Sequence, residues 1–217
     1  FVGDGDRQYL TGLKVGGERI LIIVDASASM LGSTIVNILR RRNLPDSEKT
    51  RAAKWQQALA TVDWVTTQIP KDSHFQIYAF SETARPVLAD TAGRWLGGDD
   101  REVLDRAVAG LREVVPAGGT SLWHALEASE RMTPPPDNII LLVDGLPTRG
   151  KKAPRRSKVS GKSRLDLFEK AVKGRSLRTP INVILLPMEG DPMAASAYWK
   201  LAMVTRGSFL VPSEDWP

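Results

Sequence analysis

The sequence predicts an α/β domain built around a mostly parallel sheet, and two observations lead to this prediction. Two short segments, 20–24 and 139–143, are apolar without alternation, which is typical of strands buried on both faces of a sheet, and 181–186, apolar apart from Asn182, predicts a further buried strand. Segments in which apolar residues recur at helical spacing separate these strands. Strands that alternate with helices favour a parallel sheet, because two successive parallel strands must be joined by a crossover connection, which is usually a helix.

The first long helix is predicted over 48–69, where Asp46 or Ser47 can cap its start and Pro70 ends it. The segment 84–88 predicts a strand at a sheet edge, because a proline within it, Pro86, has no amide hydrogen to donate to a neighbour. Further helices are predicted over 100–113, 121–131, 163–173 and 194–205, and further strands over 75–80 and 208–211.

Length and composition suit a single folded domain, since the 217 residues are 42% hydrophobic and 25% charged. No apolar run reaches the ~18–20 residues of a membrane-spanning helix, and the lack of cysteine excludes disulfides and thiolate chemistry. Because the chain begins with Phe1 rather than Met, we expect a fragment whose signal or anchor segment, if any, lies outside it. We divide it into an irregular lead-in, 1–18, and the domain proper, 19–217.

The net charge of +5 arises in one segment, 149–164, which we call the basic loop and which contains eight bases and no acid. Without those eight charges the chain would carry a net charge of −3. Such a loop is either a solvated surface segment or a device that steers an acidic partner towards a nearby site. The candidate partner-binding residues are Arg149, Lys151, Lys152, Arg155, Arg156 and Lys158.

Oxygen-bearing side chains cluster at the ends of predicted elements. The run Asp25-Ala26-Ser27-Ala28-Ser29 follows the first strand, Thr120 precedes a helix, and Asp144 follows the strand 139–143. Ligands of parallel sheets bind beyond the carboxyl ends of the strands, so neighbouring strands would bring both carboxylates into one crevice. Carboxylates and hydroxyls, without sulfur or imidazole, suit Mg²⁺. Each hydroxyl taken alone is equally well explained as a helix cap.

These residues resemble the metal-ion-dependent adhesion site of von Willebrand factor A (vWA) domains. That family's pattern is Asp-x-Ser-x-Ser after the first strand, a Thr in a Gly-Gly-Thr turn, and an Asp-Gly after a later strand. The match covers about 19–211 and consists of Asp25, Ser27, Ser29, Thr120 and Asp144.

The resemblance implies a three-layer Rossmann-like vWA fold, with one antiparallel edge strand in a mostly parallel sheet and helices on both faces. It implies a divalent cation, Mg²⁺ before Mn²⁺ or Ca²⁺, held by the five matched residues. It also implies a protein partner that supplies an acidic side chain to the ion, and no enzymatic activity. The similarity is greatest to stand-alone bacterial members, from which we expect a location in the cell envelope.

The sequence departs from the family pattern in two places. An insertion at 31–46, with Ile35 and Leu39 among its apolar residues, separates the metal loop from the first long helix. The chain also ends about six residues after its last predicted strand, so we expect no affinity switch based on a final sliding helix unless flanking sequence supplies that helix.

Other functions fit less well. The basic loop is also compatible with nucleic-acid or polyanion binding, although it has no aromatic residue for base stacking. Gly161-Lys162-Ser163 resembles the end of a phosphate-binding loop, but the earlier glycine is replaced by Arg156. An aspartyl-nucleophile phosphatase would need a second Asp where Ser27 stands. Metal-dependent protein binding is therefore the function that the sequence favours.

Overall fold

The computed structural model describes residues 12–13, 15–153, 159–175, 178–213 and 216. The lead-in predicted over 1–18 falls mainly outside these residues. The strands are β1 Arg19–Asp25, β2 His74–Phe80, β3 Ala84–Pro86, β4 Leu96–Gly97, β5 Asn138–Val143, β6 Ile181–Leu185 and β7 Phe209–Leu210. The helices are α1 Ile35–Arg41, α2 Asp46–Thr50, α3 Ala53–Thr67, α4 Arg101–Arg112, α5 Leu122–Arg131, α6 Gly161–Val172 and α7 Met193–Thr205.

The strands form one sheet in the order β3-β2-β1-β5-β6-β7. Strands β2, β1, β5, β6 and β7 are parallel to their neighbours, whereas β3 runs antiparallel to β2 at the edge. This arrangement confirms the predicted fold class, including the edge position of the strand that contains Pro86. The structure adds β4, a two-residue strand antiparallel to the start of β2, which is too short to leave a hydrophobic pattern in the sequence.

Two hydrophobic clusters on opposite faces of the sheet make the fold three-layered. Alternate residues of β1 point to opposite sides, as a strand requires. Ile22 belongs to the cluster that includes Trp55 of α3, and Ile23 to the cluster that includes Leu126 of α5 and Leu201 of α7. Burial on both faces is the physical reason for the unbroken apolar run that the sequence shows here.

The single helix predicted over 48–69 is two helices, α2 and α3. The side-chain amide of Gln56 donates to the carbonyl oxygen of Thr50 over 2.6 Å, and thereby takes an acceptor that a continuous helix would use for its own backbone. Among the helices that the structure describes, none combines the length and the apolar character needed to cross a bilayer.

Candidate metal site

The candidate site lies at the carboxyl edge of the sheet, where β1 and β5 are neighbours. The register pairs Val24 with Leu142, so the two chains leave the sheet side by side. Asp25 ends β1 and Asp144 follows β5, and these carboxylates are 0% and 2% exposed. The crossover topology thus brings together two acids that are separated by more than half of the chain.

All five residues of the motif meet in one chain of hydrogen bonds. The hydroxyl of Thr120 donates to Ser27 Oγ over 2.8 Å, and the Oγ atoms of Ser27 and Ser29 are 2.8 Å apart. The hydroxyl of Ser29 donates in turn to Asp144 Oδ1 over 2.9 Å. Asp25 Oδ1 accepts from the backbone N–H of Ser27 over 2.8 Å.

The alternative role of the hydroxyls as helix caps finds no support at two of them. Ser27 precedes a 3-10 turn, Ala28–Leu31, but within the described chain its side chain makes no capping hydrogen bond. The residue in the capping position of α5 is Ser121, not Thr120. Both hydroxyls are instead directed at the other oxygens of the cluster.

The turn that contains Thr120 is fixed against the loop after β1. The N–H of Ala28 donates to Gly118 O over 3.0 Å, and the N–H of Ala117 donates to Ala26 O over 2.9 Å. Gly118 has a φ of 76°, a left-handed conformation that favours glycine. A Cβ atom on Gly119 would lie 2.7 Å from the side chain of Arg149. The loop after β5, which contains Arg149, therefore comes so close that glycine is favoured at this position as well.

One oxygen of the cluster, Asp25 Oδ2, is buried and has no hydrogen-bond partner among the described residues. Burial, with a smaller contribution from the nearby charge of Asp144, raises the pKa of Asp25 from 3.8 to about 8. A buried polar atom without a partner is costly, and a bound cation would remove that cost. Two carboxylates and three hydroxyls in contact are a donor set that fits a hard divalent cation such as Mg²⁺.

Lys54, the second residue of α3, belongs to the site although it was not predicted from the sequence. Its ammonium donates to Asp144 Oδ2 over 2.8 Å, and its side chain is only 4% exposed. It also lies 3.5 Å from the carbonyl oxygen of Gly32. The signal in the sequence was a lysine in line with Ala58 on the buried face of a helix.

Three further residues that were not predicted from the sequence, Asp191, Arg164 and Tyr198, hold the Asp144 loop in place. Asp191 Oδ2 accepts from the N–H of Leu146 over 2.6 Å and forms an ion pair of 2.8 Å with Arg164. The hydroxyl of Tyr198 donates to Gly145 O over 3.1 Å, and burial raises the pKa of Tyr198 well above its usual range, so that its proton stays in place. The loop that carries Asp144 is therefore braced by α6, α7 and the chain between β6 and α7.

The basic loop begins beside the site but is only partly available to a partner. The N–H of Arg149 donates to Thr120 O over 2.9 Å, while its guanidinium is paired with Glu82. Lys151 stands over the ring of Trp123, with Nζ 5.8 Å from the ring centre, and Lys152 is exposed. The candidates Arg155, Arg156 and Lys158 lie outside the described residues.

Ion pairs within the described part of the basic loop also bear on nucleic-acid binding. Arg149 is paired with Glu82 and Arg164 with Asp191, so each of these guanidinium groups already has a carboxylate partner that a phosphate would have to displace. This leaves fewer charges for the counterion release that drives such binding.

No protein-family model matches the sequence, and no curated protein shows significant sequence similarity to it. Solved structures do resemble it. A von Willebrand factor type A protein from Catenulispora acidiphila has a TM-score of 0.55 at 18% identity, over 92% of this chain and 39% of that chain. The PilB minor pilin from Streptococcus sanguinis has a TM-score of 0.54 at 12% identity, over 92% of this chain and 58% of that one. The SpRpn10 VWA domain has a TM-score of 0.52 at 9% identity, over 89% and 86% of the two chains.

The chain has the vWA fold. The similarity confirms the Rossmann-like architecture that the motif implied. At identities of 9–18% it establishes the fold alone. The chain spans about 39% of the first of these proteins and 58% of the second.

Proposed function

We propose that this vWA-fold domain is a protein-interaction module that binds an acidic group of its partner through a Mg²⁺-type ion. The proposal assigns the ion to the five matched residues, Asp25, Ser27, Ser29, Thr120 and Asp144. The observation that carries it is the buried Asp25 Oδ2, which lacks a partner within the described residues and lies beside the linked hydroxyl and carboxylate oxygens of the motif. The vWA-type neighbours, which include a minor pilin, support an interaction module.

Each part of the cluster has a distinct task under this proposal. The ion, when bound, supplies a positive charge that a partner carboxylate can coordinate. Asp25 and Asp144 provide the negative charge that retains the ion. The hydroxyls of Ser27, Ser29 and Thr120 bind it without adding negative charge, so the loaded site still attracts an anion. The absence of catalysis and a location in the cell envelope stay predictions.

Isothermal titration calorimetry with MgCl₂ and MnCl₂ tests the metal site. We expect the wild type to bind one ion and Asp25→Ala to bind it about tenfold more weakly or not at all. Asp105→Ala is the matched control, because Asp105 is an exposed carboxylate of α4, 72% accessible, that pairs with Arg101 of the same helix. Equal affinity in wild type and Asp25→Ala, or no binding by the wild type, would refute the site.

A second measurement separates an acidic protein partner from a polyanion. We expect a fluorescein-labelled glutamate-rich peptide to bind in Mg²⁺ and to be released by EDTA. Binding to a labelled DNA duplex through the basic loop would instead survive EDTA and weaken steeply with salt. If the loop steers acidic partners, Lys151→Gln with Lys152→Gln slows association of the peptide at low salt and leaves its dissociation rate unchanged. Association that is equally fast in this double variant would exclude steering by these two lysines.

A further inference from the structure

The ammonium of Lys54 sits inside the candidate metal site, although a divalent cation needs no cationic neighbour. It contacts Asp144 Oδ2 at 2.8 Å with both side chains almost fully buried, at 4% and 2% exposed. Two carboxylates alone would balance the charge of a divalent ion. Burying an additional ammonium beside them costs free energy of desolvation. A functional role for this charge would explain why the cost is tolerated.

We infer that Lys54 is a specificity-determining residue that weakens the hold of the site on its cation and strengthens the hold of the loaded site on an anionic ligand. This inference rests on the proposed function. With Lys54 present, the cluster of two carboxylates, one ammonium and one divalent ion carries one net positive charge. Without Lys54 the same cluster is neutral. The lysine therefore makes the loaded site a receptor for a carboxylate.

The direction of the effect distinguishes this role from a structural one. A lysine that only positions Asp144 would, on removal, let that carboxylate move and would weaken cation binding. A lysine that acts as a counter-charge would, on removal, strengthen cation binding, because the like-charge repulsion between ammonium and cation disappears. Since the two roles predict opposite signs, cation affinity alone separates them.

Two variants of Lys54 and one control variant test this role. Lys54→Met removes the charge and keeps a long side chain, and Lys54→Gln removes the charge but retains a hydrogen-bond donor. Lys49→Met is the matched control, because Lys49 belongs to the adjacent helix α2 and pairs with exposed Asp46 over 2.9 Å, outside the site. Circular dichroism checks folding, and Lys54→Gln serves if Lys54→Met does not fold.

Calorimetric titration with MgCl₂ gives the first readout, and the second is acetate binding to the Mn²⁺-loaded proteins, followed by water-proton relaxation. We expect both Lys54 variants to bind Mg²⁺ about tenfold more tightly than the wild type and acetate several-fold more weakly. Lys49→Met should match the wild type in both. Mg²⁺ binding that is unchanged or weaker in the Lys54 variants would overturn the inference.

Failure of the proposed function gives a different pattern. If the wild type binds no Mg²⁺ but Lys54→Met does, the repulsion between Lys54 and the cation is confirmed. The proposed function is then refuted, and with it the role of Lys54 in holding an anionic ligand. If neither protein binds Mg²⁺, both are refuted.

Discussion

In the metal-free protein, Asp25 should contribute less to stability as the pH rises, because burial favours its protonated form. Its pKa is raised from 3.8 to about 8 in the folded protein, by burial first and by the charge of Asp144 second. Between these two values the folded state retains a proton that the unfolded state has lost. The contribution of Asp25 to the free energy of unfolding therefore falls with increasing pH by at most about 1.4 kcal/mol per pH unit, and levels off above the folded pKa.

The measurement is urea unfolding in EDTA, followed by tryptophan fluorescence, for the wild type and Asp25→Asn. The asparagine has nearly the same shape but does not ionise, so subtracting the two free energies removes the titration of all other groups. From about pH 5 to about pH 7 we expect the wild type to lose up to about 2.7 kcal/mol relative to Asp25→Asn. Excess Mg²⁺ should remove this difference in slope, because a carboxylate that binds an ion stays ionised.

Parallel pH profiles for the two proteins would refute this reasoning. They would mean that Asp25 is already ionised in the folded, metal-free state. The ammonium of Lys54, which lowers the pKa of Asp25, would then outweigh burial. A wild type that gained stability with pH relative to Asp25→Asn would contradict even the direction of the shift.

Two further predictions concern the frame around the site. Gly207→Ala should destabilise the fold by more than about 2 kcal/mol in urea unfolding, because its Cβ would lie 2.0 Å from the carbonyl oxygen of Ile181. Gly161→Ala should be nearly neutral, because a Cβ there would meet no atom from elsewhere in the described chain within 4 Å. Asp191→Ala leaves the guanidinium of Arg164 without its buried partner, 3% exposed, and should cost about 3 kcal/mol in thermal or urea unfolding. The same change should weaken Mg²⁺ binding in calorimetry, since Leu146 loses the acceptor that fixes the loop after Asp144.

The elements and the oxygen cluster were predictable for local reasons. Strands β1 and β5 are buried on both faces and therefore consist of unbroken apolar runs, so the polar residues that follow them marked their ends. The metal loop carries three of its five candidate ligands within the five residues 25–29. The other two, Thr120 and Asp144, stand at the start of a helix and the end of a strand, where crossover topology brings them to the same edge.

What the sequence did not reveal are charge pairs formed across long stretches of chain. Lys54 and Asp144 are 90 residues apart, and a lysine on a helix is ordinarily a solvated residue. Arg149 pairs with Glu82, 67 residues away, which a count of charges along the basic loop does not show. The partner of a charge is fixed by packing and not by sequence neighbours, so net charge by segment was a poor guide to free charge at the surface.

The positive character of the site therefore has two separable sources. Exposed charges such as Lys152 act through solvent, where salt screens them within about 8–10 Å, so they influence the association rate. Lys54 is buried beside Asp144 and is screened far less, so with a bound ion it influences how long an acidic ligand stays. Raising the salt concentration should then slow association of an acidic partner while changing its dissociation rate only slightly. The opposite pattern, a salt-sensitive dissociation rate in Mg²⁺, would place the decisive charges on the exposed loop and not in the buried cluster.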